Sequence, residues 1–584
     1  MKHSNLPLHE ILAKYDWIST FTHPPNITSL LHHNVVPSSL QTTQLKVSLE
    51  SLKSPLAEID GDLDLLCNAV VSLEAHRSCL QSLESDCATA LSPIRCVPPE
   101  IMIEILHRSW KDNRFRGMLT GSRLDGFNVF AVQEGPWHLG QMCSSWRNVI
   151  KTHCPELWAS MTITLPSPYK PKARLTADAV EMLCVILERS CNHPLNFDFS
   201  CDCSVPRSEA EEGLSQLMKH WFDLMMAHSR WWRAVRLMMH ASYLPRLSLV
   251  HGKVDLLREM YLDCADEADE PPSRDICTFE IAPKLEILHL NGMHERAYIG
   301  FPASNLVSFS DARPFSGDWL TPTYLAVVKL APKLLSFSYN DCGVQSLNVH
   351  PVPNPPSLVM GPSMENLLAT SPSFLCSLVL PSLKEVTLTT LYEFDMEEQV
   401  ITCPVGTLGA LHQMLLQSQC SLTQLRLVNA DLDNNLVNVI HLMPRLWEFA
   451  IEFYEWVPEI TDDYGTIMQS LVAQLSKVEM VDGSLQHSVV PFLQSLTVEM
   501  HTIRYAHVSF INSAFVDMVA LRVCRPHIIA HLTNLDLWVM GRGWSYDLDQ
   551  KAEETLKDLE REGLTLDFGL HDGDPASGPE SDSD

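Results

Sequence analysis

Basic charge, glycine and long apolar runs are all scarce in this chain, and each shortage excludes a class of function. Across 584 residues, Lys and Arg number 42 against 71 Asp and Glu, which leaves a formal net charge of −29. A nucleic-acid binder needs a basic face to neutralise phosphates and release counterions, and an anionic membrane surface attracts polybasic segments. Neither partner is expected. Only 23 glycines occur, and none falls in a G-x-x-x-x-G-K-[ST] phosphate cradle or a G-x-G-x-x-G turn. H-E-x-x-H and G-x-S-x-G are absent as well, so nothing marks metalloprotease or serine-hydrolase chemistry. No run approaches the ~18 uninterrupted apolar residues of a membrane span, and the first residues lack the apolar stretch of a signal peptide. The 17 cysteines contain no C-x-x-C pair and no dense framework, which suits a reducing compartment. The expectation is a soluble intracellular protein, cytoplasmic and/or nuclear.

Against these absences stands a composition that folds: 46% hydrophobic and 19% charged residues. Residues 1–44 mix Pro, His, Ser and Thr without a sustained period and read as a flexible leader. From Leu45 an apolar residue recurs every seventh position, at Leu45, Leu52, Ile59, Leu66, Leu73, Leu80 and Cys87, with a second series at Leu49, Leu56, Leu63 and Val70. Alternating spacings of four and three form a coiled-coil seam over 45–91. Ser54 and Pro55 suit the helix start, because proline lacks only an N–H that the first turn leaves unpaired anyway. The second series fails at Arg77 and Glu84. Packing within the chain and pairing with another helix both remain open.

Two amphipathic helices are expected next. Pro98-Pro99-Glu100 puts proline and an acid at a helix N-terminus, and Ile101, Ile105 and Leu106 then share a face. After a polar stretch from Arg114 to Gly135, the spacing of Leu139, Met142, Cys143, Trp146 and Val149 predicts a second helix over 136–150. Pro155-Glu156-Leu157-Trp158 closes the unit.

These elements, in this order, resemble the F-box, in particular that of the F-box proteins abundant in mushroom-forming fungi. The family pattern S-P-I-R-x-L-P-P-E-I is matched from Ser92 to Ile101, with Val97 in place of Leu. Met142 stands where Val is usual, and the interval of about 22 residues between the helices is longer than in the compact motif. The resemblance implies a small all-α F-box at 92–161 that docks a Skp-type adaptor of a cullin–RING ligase. Carried over residue by residue, the docking positions are Pro98, Pro99, Ile101, Ile105, Leu106, Leu139, Met142, Cys143 and Trp146.

Beyond the box, a P-x-L-x-x-L-x-L unit recurs from Pro283, Pro332, Pro381, Pro444 and Pro491, with weaker copies at Leu306 and Leu422. The anchor leucines at 285, 306, 334, 383, 422, 446 and 493 lie 21, 28, 49, 39, 24 and 47 residues apart. Several intervals match a leucine-rich repeat of 20–29 residues, and the longest hold an extra unit or loop. Each unit should lay one strand on a shared parallel sheet and spend its leucines on the core. Variable positions would then line a concave face of mixed character, with His289, Ser338, Thr387 and Arg426 as substrate-binding candidates. This region, 180–570, resembles the C-terminal part usual in the same fungal family. Residues 571–584 form an acidic tail without core residues.

Two further clusters read as structural. Cys191, His193, Cys201 and Cys203 carry metal-ligand chemistry at spacings unlike a zinc site, and Trp231-Trp232-Arg233 reads as a helix end entering a strand. The chain is thus expected to be an α+β multi-domain protein: a long N-terminal helix, an all-α F-box and an α/β leucine-rich-repeat-like solenoid. No catalytic residue, metal or cofactor is assigned. Function follows from the resemblance: a non-catalytic substrate-recognition adaptor of a Skp–cullin–F-box ubiquitin ligase, holding an unknown protein substrate. The rival is a structural scaffold that uses the repeats for protein–protein interaction outside any ligase.

Overall fold

A computed structural model of the chain describes residues 8–20, 27, 30, 36–91, 97–112, 126–133, 135–164, 177–200, 209–264, 276–294, 297–313, 320–341, 358–389, 403–454, 456, 463–481, 484–523 and 531–572. It divides into two compact units, Met1–Ile101 and Met102–Asp584.

The first unit is built around one helix of 52 residues, Ser39–Ala90. Its start corrects the expectation of a helix beginning at Pro55. Ser38 accepts from the Gln41 backbone N–H, and the Gln41 side chain bonds back to the Ser38 N–H, a complete capping box. Pro55 therefore lies inside the helix, where it removes one backbone bond. The reading of 1–44 as a flexible leader is corrected in part. Leu8–Ala13 is helical and Asp16–Thr20 is a 3-10 turn. Lys14 Nζ bridges Glu58 and Asp62 at 2.5 and 3.0 Å, and the Tyr15 hydroxyl donates to Asp62. No residue of the long helix is buried. Leu45, Leu52, Ile59 and Leu66 are half-buried, whereas Leu73 and Leu80 are each 66% exposed.

Among the described residues, the second unit is dominated by a sheet of fifteen strands, all parallel, in which each strand lies beside the preceding strand of the same sheet. The P-x-L-x-x-L-x-L units explain the local structure. Leu285, Leu288 and Leu290 are buried around the strand Ile287–Asn291, and Leu446, Phe449 and Ile451 repeat the arrangement around Glu448–Phe453. Alternate residues thus face the core and solvent, as a pleated strand requires. Helices connect many of the strands and cover the core side. Tyr324 of the helix Thr321–Leu330 meets Phe309, Phe337 and Phe374 ring to ring.

The expected solenoid boundaries and the all-α box are both revised. Phe127–Asn128, inside the polar stretch of the box, pairs with Ser160–Thr164 and begins the sheet. Between the units of Leu334 and Leu383 the described residues add one strand to this sheet, Asn366–Leu368, anchored by fully buried Met364, and a separate parallel pair, Val359–Met360 with Leu378–Val379. That accounts for the double-length interval. The other long interval, before Leu493, holds the helix Tyr464–Leu475 and an antiparallel pair, Val478–Val481 with Ser484–His487. The last strand, Thr565–Asp572, runs into the start of the expected tail, and 573–584 lie outside the described residues.

Two arginines are buried in this core. Arg313 pairs with Asp311 at 2.9 Å and donates to the Ala297 carbonyl at 2.6 Å. Arg522 has a different environment: it donates to the carbonyls of Leu475, Val489 and Val490. Burial pushes its guanidinium down to about 10, since an ion in a poorly solvated site is disfavoured.

Candidate functional site

The residues expected to dock an adaptor fall into two sets. Leu106, on the helix Pro99–Asp112, is fully buried, and Trp146 is 8% exposed. Ile101 and Met142 are exposed at 54% and 62%, and Pro98 and Pro99 are also at the surface. Ile105 and Leu139 are half-buried. The single helix expected over 136–150 is broken into Gly135–Gln141 and Ser144–His153. Cys143 supplies the reason. Its backbone is extended, at φ −162° and ψ 171°, and its Sγ accepts from the Trp146 N–H at 3.5 Å. It acts as an N-cap residue, stopping one helix and starting the next.

The four substrate-binding candidates, distant in sequence, fall on one row across neighbouring strands. His289 is in register with Ser310, Ser310 with Ser338, Ser338 with Leu368, Leu368 with Thr387, and Thr387 with Arg426. The row continues through Ala450, Thr497, Asp536 and Asp567. His289 stacks on Tyr261 at 4.7 Å and an interplanar angle of 4°. Arg426 is no free cation, since its guanidinium forks onto Glu452 at 2.6 and 2.7 Å.

The face expected to be mixed is rich in acid. Glu259, Asp263, Glu448, Glu499 and Asp536 lie at the less buried positions of their strands, and Glu452, 4% exposed, lies beneath Arg426. Arg236 lies 4.0 Å from Asp198, as Arg426 lies against Glu452. Glu452 and Glu499 are direct register partners. Burial first, and Glu452 next, hold the Glu499 carboxyl above its ordinary value. Tyr454, 40% exposed, stacks on His501 at 4.8 Å beside these acids.

A third cluster escaped the sequence. His107, Cys154 and Glu156 place one ligand-type atom each within 4.8 Å of one another. The helix Pro99–Asp112 contributes His107, the end of Ser144–His153 leads into Cys154, and Glu156 lies in the 3-10 turn Pro155–Trp158. Only the short Cys-x-Glu spacing was visible in the sequence, because the histidine lies 47 positions upstream. A Cys–His–Glu set also suits a thiol nucleophile. Here, however, Cys154 is fully buried, and burial with the nearby Glu156 pushes its thiol up to about 11. A nucleophile needs the opposite, an accessible and easily formed thiolate.

The two clusters set aside as structural lie in part elsewhere. Cys191 and Asn192 form a turn at φ 47° and 65° after the helix Ala177–Arg189, while Cys201 and Cys203 lie outside the described residues. Trp232 is fully buried against Phe197, its indole N–H donating to the Met225 carbonyl. Among the described residues no helix is long and apolar enough to cross a membrane. No protein-family model matches the chain, and no curated protein does so either.

Proposed function

We propose that this chain is a substrate-recognition adaptor of a Skp–cullin–F-box ubiquitin ligase. The box at 92–161 docks the Skp-type adaptor, and the sheet belongs to an irregular leucine-rich-repeat solenoid whose exposed face holds a protein substrate. The observation that carries this reading is the single row joining His289, Ser338, Thr387 and Arg426. The leucines of each unit are consumed by the core, so the positions between them, polar at His289, Ser310, Ser338, Thr387 and Arg426 and apolar at Leu368, are left to a partner. The chain then needs no reacting group of its own, because ubiquitin transfer is by proximity on other subunits. The acidic character of the face favours a substrate segment rich in Lys or Arg, since opposite potentials steer encounter and select partners.

Affinity purification of the full chain under proteasome inhibition, read by mass spectrometry, tests the whole reading. Recovery of a Skp-type adaptor with a cullin supports it, and recovery of neither favours the scaffold. Ser338→Arg with Thr387→Arg places two cations in the row without touching the box. Substrate recovery should fall at least tenfold while adaptor recovery is unchanged. Undiminished substrate recovery would place recognition elsewhere.

A further inference from the structure

We propose that His107, Cys154 and Glu156 form a three-ligand site for a single Zn2+ ion, with water completing the coordination. The donor set is a nitrogen, a sulfur and an oxygen, each a usual zinc ligand, and three protein ligands with one open position is an established zinc geometry. His107 and Glu156 already meet, Nε2 to Oε1, at 2.6 Å. A hydrogen-bonded pair alone would explain those two residues. It does not explain the third.

Cys154 is fully buried, its thiol makes no hydrogen bond among the described residues, and its sulfur lies within 4.8 Å of both other ligand atoms. A buried, unbonded sulfur within reach of a His–Glu pair is what a metal cage with its ion removed presents. Ligand atoms around a tetrahedral ion bonded at ~2.0–2.3 Å stand roughly 3.2–3.9 Å apart. Occupancy therefore requires the His–Glu contact to open and the sulfur to close by at most about 1.3 Å. The side chains of His107 and Glu156 are 30% and 34% exposed, so one side of the site is open to water. On binding, the S–H bond breaks, its proton leaves to solvent, and a metal–sulfur bond forms, with no redox change. The ion ties the helix Pro99–Asp112 to the turn Pro155–Trp158, joining the first box helix to the segment that enters the sheet. Zinc is named over calcium or magnesium because those hard cations select oxygen ligands alone.

The test uses the full chain, reduced and stripped with a chelator, then titrated with Zn2+ against a chromophoric competitor and separately with Co2+. One tight equivalent is expected, with a thiolate-to-Co2+ absorption band. His107→Gln and Glu156→Gln should each weaken Zn2+ binding by more than about tenfold, because even partners outside the coordination sphere are worth that much. Cys154→Ser should abolish the Co2+ band. The Gln variants keep the test decisive if Cys154→Ser fails to fold, since both positions are partly exposed. A Cys191→Ser, Cys201→Ser, Cys203→Ser variant is the control and should keep full binding. The proposal is overturned if the stripped chain takes up no Zn2+, if the band survives Cys154→Ser, or if it is lost in the control.

Discussion

Truncating Leu106 and Ile101 separately should split folding from adaptor binding on a single helix. Leu106 is fully buried in the second unit. Leu106→Ala removes its packed side chain and leaves a cavity, at a cost of about 2–5 kcal/mol, depending on how far the neighbours relax. Ile101 is 54% exposed, so Ile101→Ala should change stability by no more than about 0.5 kcal/mol. If Ile101 anchors a Skp-type adaptor, its truncation removes about 2 kcal/mol or more of binding. At 25 °C that is roughly a 30-fold rise in Kd. Met142→Ala, at 62% exposure, should follow Ile101. Trp146, first assigned to docking, should follow Leu106 because it is nearly buried. The assays are thermal melting of each variant by circular dichroism and calorimetric titration of the purified adaptor into the full chain. Wild-type adaptor affinity in Ile101→Ala and Met142→Ala would refute the docking assignment. A melting loss in Ile101→Ala equal to that of Leu106→Ala would refute the division into core and surface.

Two other outcomes follow from particular groups. The chain should show no stable dimer by light scattering at micromolar concentration, because Arg77 and Glu84 interrupt one series of the seam and the Lys14 and Tyr15 bonds to Asp62 flank its first half; a dimer abolished by Leu73→Glu would show intermolecular pairing. Glu499→Gln should raise the melting temperature at neutral pH and leave it nearly unchanged in acid. Glu499 is surrounded by Glu452, Asp536, His501 and Arg426, and its folded carboxyl holds a proton more tightly than the unfolded one. Its contribution to stability therefore declines as pH rises from the ordinary carboxylate value through the raised one, and it stays lost above. A variant less stable than wild type at neutral pH would contradict this.

Periodic features were legible in the sequence, and features that depend on chain closure were not. The P-x-L-x-x-L-x-L unit was readable because every strand repeats one demand, apolar residues toward the core at a period of two, and Leu285, Leu383 and Leu493 are all buried as that demand requires. Fixing the faces in turn fixed the row from His289 to Arg426, since parallel neighbours in register stack like positions. The strand at Asn366–Leu368 was missed because Met364 and Ala369 stand where leucine would mark the unit, although both are buried. The start of the long helix was misplaced for a local reason: proline at a first turn and proline inside a helix look alike in sequence, and the decisive signal was the Ser38-x-x-Gln41 box upstream.

The Cys–His–Glu cluster had no periodic signal at all. Its geometry exists only because the helices Pro99–Asp112 and Ser144–His153 meet the turn that feeds the sheet, which is a property of the closed chain. The same closure separates the docking candidates: spacing put Leu106 and Ile101 on one helical face, yet burial leaves one in the core and the other at the surface. A helical face is wider than the contact it makes, so residues at its margin stay exposed even when the stripe is continuous. Periodicity therefore nominates a face, and only the packing partner decides which of its residues remain available to another protein.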